Sequence, residues 1–137
     1  MIKSSNGQSK SQILANNTGA NIRKKTFQHV TEDFDSLMQT NLASMCELSE
    51  LFHSLLKGKD KNKKCTSSIV NVGSVAGSSS LKSGTIYAAT KAAMSQLTAN
   101  LACEWASDGI RVNCAMFDTC AFLFSKNLKG VFFFTNH

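Results

Sequence analysis

The chain has 137 residues, 42% of them hydrophobic and 18% charged, which suits one modest domain and excludes a largely disordered chain. No run approaches the ~20 apolar residues of a membrane-spanning helix, and Met1–Gln12 is a polar leader without the apolar stretch of a secretory signal. The net charge of +6 is largely local: Lys57–Lys64 contributes +4 and carries no interleaved aromatics to stack on bases, so a solvated loop is expected there and no nucleic-acid site.

In chain order, Ile13-Leu14-Ala15 reads as a short strand that runs into the turn Asn16-Asn17-Thr18-Gly19. A basic loop, Arg23-Lys24-Lys25, follows. Thr31 opens a long helix with Glu32, Asp33 and Asp35 in its first turn, where the helix dipole favours negative charge. Phe34, Leu37, Met38, Leu42, Met45, Leu48, Phe52 and Leu55 form its apolar stripe, and the helix is predicted to end near Lys57-Gly58. Ser68–Gly73 reads as a buried strand, followed by a loop of small residues from Ser74 to Gly84. A second helix is predicted from Thr85 to Ala106, with a stripe of Met94, Leu97, Leu101 and Trp105, and Asp108-Gly109 stops it. Ile110–Asn113 reads as the next strand. This alternation predicts an α/β fold of about three parallel strands with two long crossover helices. At that size both end strands of the sheet would be left unpaired.

Cys46, Cys65, Cys103, Cys114 and Cys120 contain no C-x-x-C pair and are odd in number, so free thiols in a reducing compartment are expected and neither a disulfide framework nor a zinc site. Three features carry chemistry. Asn41 interrupts an apolar stripe, and a buried amide there must find hydrogen-bond partners; a structural role alone would account for it. Tyr87 and Lys91, at i and i+4, share one helix face, where a cation beside the phenol lowers its pKa towards useful acid/base work. Ser74 ends a strand thirteen residues before Tyr87, at the sheet edge where open α/β folds bind ligands, although many serines lie close by.

In combination these residues resemble the short-chain dehydrogenase/reductase family. Asn16-Asn17-Thr18-Gly19 is similar to its N-N-A-G turn, and Asn41, Ser74, Tyr87 and Lys91 fall in the order of its catalytic tetrad. The stretch from Ile69 to Asn113 is especially similar to plant tropinone-reductase-like members. The resemblance implies a partial Rossmann-like doubly wound sheet and NADP(H)-dependent reduction of a small ketone to an alcohol, of alkaloid or related secondary metabolism. It implies that Tyr87 protonates the carbonyl oxygen, Lys91 lowers the pKa of Tyr87 and binds the nicotinamide ribose, and Ser74 orients the carbonyl. Asn41 would hold a water in a proton relay, Asn17 and Gly19 would shape the cofactor pocket, and Asn113 would tie down the strand that follows the second helix. The two long helices correspond to the family's usual subunit interface, so homo- or hetero-oligomers with related subunits are implied.

Two departures qualify this. The family's opening T-G-x-x-x-G-x-G turn, which holds the cofactor pyrophosphate, is not matched in Met1–Gln12, and Gly73 and Gly77 flank the serine position instead. After Ala115 the expected Pro/Gly turn is replaced by Met116-Phe117-Asp118-Thr119-Cys120, and six of nine phenylalanines crowd the last 21 residues of a proline-free chain. The expected organisation is a leader at 1–12, a partial Rossmann domain at 13–115 and a divergent Phe-rich tail at 116–137. A truncated gene model, a retained intron or a pseudogene product would account for such a tail; a genuine C-terminal strand is the other reading. The expected activity is accordingly weak or nil, and the alternative function is a non-catalytic fragment that associates with full-length subunits.

Overall fold

The computed structural model describes residues 12–57 and 67–117, together with the backbone of 131–134. Strand β1 (Gln12–Asn16) leads through a loop with one 3-10 turn to helix α1 (Thr31–Met38), which passes through a π-helical turn (Gln39–Ala43) into α2 (Ser44–Leu56). Strand β2 (Ser67–Ser74) is followed by helix α3 (Thr85–Glu104), strand β3 (Ile110–Phe117) and strand β4 (Val131–Phe134). The sheet order is β1-β2-β3-β4, with the first three strands parallel and β4 antiparallel to β3. The outer edge of β3 is therefore paired, contrary to the expectation of two free end strands. The pairing begins at Phe117–Val131, which continues β3 four residues beyond Asn113. The lysine-rich stretch after Lys57, the leader before Gln12, Cys65, Cys120 and most of the tail lie outside the described residues.

Strand alternation explains the layering. Leu14, Ile69, Ile110 and Val112 point towards the helices and form a core with Leu56 and Leu101, with Phe52, Leu97, Ala102 and Trp105 packed against it. The intervening residues face the other way: Ile13 is 73% exposed, and Val70 and Val72 are half-buried. Both crossovers advance in the same direction across the sheet, so right-handed connections place α1–α2 and α3 on one face.

The π-helical turn was not predicted, and it changes which residues of the first helix are buried. In a regular α-helix residues four apart drift around the axis, whereas the wider turn lets Leu37, Asn41, Met45 and Ser49 stay in one row, each at most 2% exposed. The predicted stripe is split as a result, leaving Phe34, Leu48 and Leu55 exposed along with Leu51.

An electrostatic clamp ties the far ends of the helices to the turn before β3. Asp108 accepts from Lys57 (2.7 Å) and meets His53 Nε2 at 2.8 Å, while the His53 ring packs against Trp105. Lys57, then His53, holds the Asp108 carboxyl below its ordinary value, and Lys24 does the same for Asp33. A carboxylate whose folded pKa is depressed adds stability above its unfolded value near ~3.9, and loses it as pH falls through the lower folded value. The melting temperature is thus expected to fall on acidification below about pH 4, and Asp108→Asn is expected to flatten that acid limb in a pH series of thermal melts. An unchanged acid limb would show that the clamp carries no stability.

Candidate active site

The tetrad positions are brought to the C-terminal ends of β1 and β2. Lys91, on the first turns of α3, is 4% exposed and its Nζ donates to the Val72 carbonyl at 2.8 Å. The same Nζ lies 5.8 Å from the centre of the Tyr87 ring, a cation–π distance, so the i,i+4 pairing expected from the sequence is present. Burial pushes the Lys91 amine below the ordinary lysine value, and the neighbouring Cys114 partly opposes this. Tyr87 is half-buried, and no hydrogen bond among the described residues engages its hydroxyl, which leaves that group open to a ligand.

Asn41 is fully buried and is satisfied on three sides. Its Oδ1 accepts the Ala20 N–H (2.7 Å), and its Nδ2 donates to the Ala20 carbonyl and to Thr90 Oγ1, both at 3.0 Å. Asn41 thereby ties the turn after β1 to the start of α3. Both amide hydrogens are engaged by protein, so only the second Oδ1 lone pair remains for a water. That oxygen and Lys91 Nζ each lie 3.6 Å from the point where a side chain on Gly19 would begin, so the missing Cβ keeps open the space between them.

Ser74 closes β2, 4% exposed, with its Oγ accepting the Ala76 N–H at 3.2 Å. Its own hydroxyl hydrogen is left to donate. Gly84, the residue before α3, adopts φ +80°, a left-handed conformation that suits glycine, and lets the Ser74–Gly84 loop turn into the helix. The loop is also held from outside, where the Gly84 N–H donates to the Lys24 carbonyl (3.1 Å) and Thr26 and Thr85 hydroxyls meet at 2.9 Å.

Asn17 is exposed, and its side chain makes no hydrogen bond among the described residues. Its neighbour Asn16 is the buried one, donating to Ser49 Oγ (3.1 Å) and Asn71 Oδ1 (2.8 Å). Asn113 faces away from α3 and is half-buried. Asn71, Thr90 and Thr98, all at most 4% exposed, are buried polar residues that the sequence reading does not single out, and of the turn residues it is Asn16 that is buried with them. The available signal was an amide in the middle of an apolar run, Ile69-Val70-Asn71-Val72.

Gly73 also has a role in packing: a Cβ there would stand 2.6 Å from Cys114 Sγ. Gly73→Ala is expected to cost about 1–3 kcal/mol through overpacking, and Cys114→Ala in the same chain is expected to restore most of it. Denaturant melts of the three variants would decide; additive losses in the double variant would show that the strain lies elsewhere. Among the described residues, no group of His, Cys, Asp and Glu is placed to hold a metal ion. No described helix is long and apolar enough to cross a membrane.

Against known proteins, the sequence profile of the short chain dehydrogenases matches residues 6–130. A tropinone reductase homologue of Arabidopsis thaliana is 51% identical over 105 residues, which is 77% of this chain and 38% of the relative. The senescence-associated protein 13 of the same plant is 45% identical over 126 residues, 92% of this chain and 44% of the relative. The chain thus spans roughly two fifths of the length of these relatives. Among solved structures, a short chain dehydrogenase from Mycobacterium smegmatis superposes with a TM-score of 0.70 at 26% identity, over 78% of this chain and 43% of that one. A gluconate 5-dehydrogenase from Burkholderia cenocepacia in complex with NADP and tartrate gives a TM-score of 0.67 at 26% identity, over 78% and 40%.

Proposed function

The chain belongs to the short chain dehydrogenase family, and from that premise we propose that it carries the proton-transfer end of an NADP(H)-dependent reductase that converts a small ketone to an alcohol. The observation that carries this reading is the Lys91 ammonium, held at the Val72 carbonyl beside the Tyr87 ring at the open end of the parallel sheet.

The residues fit one end of the cofactor. Lys91 Nζ and the space over Gly19 suit a nicotinamide-bearing ribose, whose hydroxyls the ammonium would hold. Among the described residues, no short glycine-rich turn joins a strand to a helix N-terminus, so these residues offer the phosphates no cradle of that kind. NADPH, when bound, supplies the hydride. The chain's own groups supply the proton chemistry. Ser74 Oγ–H donates to the substrate carbonyl and orients it, the Tyr87 hydroxyl gives its proton to the developing alkoxide, and the Lys91 cation stabilises the phenolate that remains. Asn41 fixes Ala20 and Thr90, and with them the walls of the site. The free thiols Cys46, Cys103 and Cys114 are consistent with a cytoplasmic setting.

A second reading has its own observation. Leu48, Leu51 and Leu55 are 37%, 71% and 64% exposed along one side of α2, an apolar stripe suited to association with a related subunit. On this reading the chain is a non-catalytic partner of full-length family members.

Thermal melts with and without millimolar NADPH test the first reading. A ligand at 100 times its dissociation constant adds about 2.7 kcal/mol, several degrees in a domain of this size. A cooperative melt raised by NADPH supports the reductase, to be followed by a ketone screen, whereas a cooperative melt indifferent to NADPH overturns it. Co-purification with a co-expressed full-length relative supports the second reading, and loss of co-purification in Leu51→Glu would place the contact on this stripe.

A further inference from the structure

Two side-chain tethers join β2 to α3, and they start from neighbouring residues of the strand. Asn71 Nδ2 donates to Thr98 Oγ1 at 2.9 Å, and the next residue of the strand, Val72, accepts from Lys91 Nζ at 2.8 Å. Lys91 and Thr98 are seven residues apart, two helical turns, and so lie on one face of α3.

The polarity of the first tether is fixed by its surroundings. The Thr98 hydroxyl donates to the Met94 carbonyl (2.7 Å), so towards Asn71 it can only accept. Asn71 must then present Nδ2 to Thr98 and keep Oδ1 for Asn16 Nδ2, which reaches it at 2.8 Å. The second hydrogen of Asn16 goes to Ser49 Oγ, whose own hydrogen is donated to the Met45 carbonyl at 2.7 Å. Asn16, Ser49, Asn71 and Thr98 are all 6% exposed or less, so no water competes for these bonds. None of the four titrates near neutrality. The chain of donors runs one way, from β1 through β2 to α3, with a branch to α2.

We propose that Asn71 and Thr98 are positioning residues for the site: they lock the register between β2 and α3 that brings the Val72 carbonyl within reach of the Lys91 ammonium, and so hold that ammonium beside Tyr87. The proposal rests on the role given to Lys91 above. Lysine has four rotatable side-chain bonds and no preference of its own for this position. The contact depends on where the helix sits against the strand. A slip of one residue moves α3 by about 1.5 Å along its axis, which carries a 2.8 Å hydrogen bond out of range. Asn71–Thr98 prevents that slip, because an amide and a hydroxyl separated within a dry core would each be left unpaired. Packing alone would tolerate it better, since Ile69, Leu97 and Leu101 offer apolar surface without direction.

Lys91 itself reports the outcome. The full chain is exposed to limiting isotopic acetic anhydride across a pH series, and the acetylation rate of Lys91 is read by mass spectrometry against exposed Lys82. In the parent chain Lys91 is expected to react slowly. Thr98→Val, which keeps the shape and removes the acceptor, is expected to raise the Lys91 rate roughly tenfold with Lys82 unchanged, while Thr98→Ser restores the slow rate. A folded Thr98→Val with an unchanged Lys91 rate would overturn the proposal. Should Thr98→Val not fold, Thr98→Cys keeps the volume and weakens the acceptor; an intermediate rise supports the clamp and no rise overturns it. The measurement needs neither cofactor nor turnover. A chain without reductase activity whose Lys91 rate responds to Thr98 keeps the positioning role and loses the reductase reading; an active chain with an unresponsive Lys91 does the reverse.

Discussion

Tyr87→Phe is expected to abolish carbonyl reduction while leaving the fold as it is. The hydroxyl makes no hydrogen bond among the described residues, so its removal leaves no buried group unpaired and the melting temperature should stay within experimental error. On the proposed mechanism its loss removes the proton donor beside Lys91, and a positioned acid contributes about 10²–10⁴ in rate. NADPH oxidation with a ketone substrate, measured beside a thermal melt, checks both parts. Parent-level turnover in a folded Tyr87→Phe chain would remove Tyr87 from the mechanism. A lower melting temperature would instead give the hydroxyl a structural role.

The largest effect on stability is expected at Ile69→Ala. Ile69 is fully buried at the middle of the sheet, between Leu14 and Val112 on the neighbouring strands and beneath Leu56 and Leu101 from the helices. Deleting such a side chain costs about 2–5 kcal/mol, because the neighbours cannot all collapse into the cavity. That is a large part of the ~5–15 kcal/mol that holds a domain together, and a fall of roughly 10 °C or more in the melting temperature should follow. Ile13→Ala is the matched control. It removes an isoleucine that is 73% exposed on the opposite face, and it is expected to change stability by about 0.5 kcal/mol or less. Equal losses in the two variants would mean that the sheet buries both faces in solution.

The exposed leucines along α2 and the buried hydrogen-bond branch that reaches Ser49 lie on different sides of that helix. Met45 and Ser49 face inwards, the latter as the end of the hydrogen-bond branch from Asn16, while Leu48, Leu51 and Leu55 look out. A substitution on the outer row can therefore test association without touching the network that reaches Lys91.

What could be read from the sequence was local or periodic. The apolar run around Ile69–Val72, acidic residues at the start of the first helix and Asp108-Gly109 after the second are short-range signals; the strand and helices they predicted are present, although the second helix ends at Glu104 and not at Ala106. The spacing of Tyr87 and Lys91 belongs to the same class, because four residues of α-helix set their separation without help from the rest of the chain. The combination of Asn41, Ser74, Tyr87 and Lys91 was likewise enough to indicate the family that the profile match then showed.

The rest depended on contacts between segments far apart in sequence. Asn41 could be noticed as an amide in an apolar stripe, but its burial against Ala20 and Thr90 follows from a π-helical turn that no residue of Gln39–Ala43 announces. Of the two asparagines in the turn after β1, only Asn16 meets Ser49 and Asn71, and strand parity against the packed helices decides which of the pair points inwards. The antiparallel pairing of Val131–Phe134 with β3 could be foreseen only as a β-prone segment, since a strand's partner is set by the free edge it meets. The sequence by itself determined the main helices, the parallel strands and the family, because those follow from periodicity within single segments and from the order of short motifs. Only the tertiary structure decided that Lys91 Nζ meets the Val72 carbonyl and that Asn71 meets Thr98 beside it, because a buried hydrogen bond forms only when packing has removed water from both of its ends.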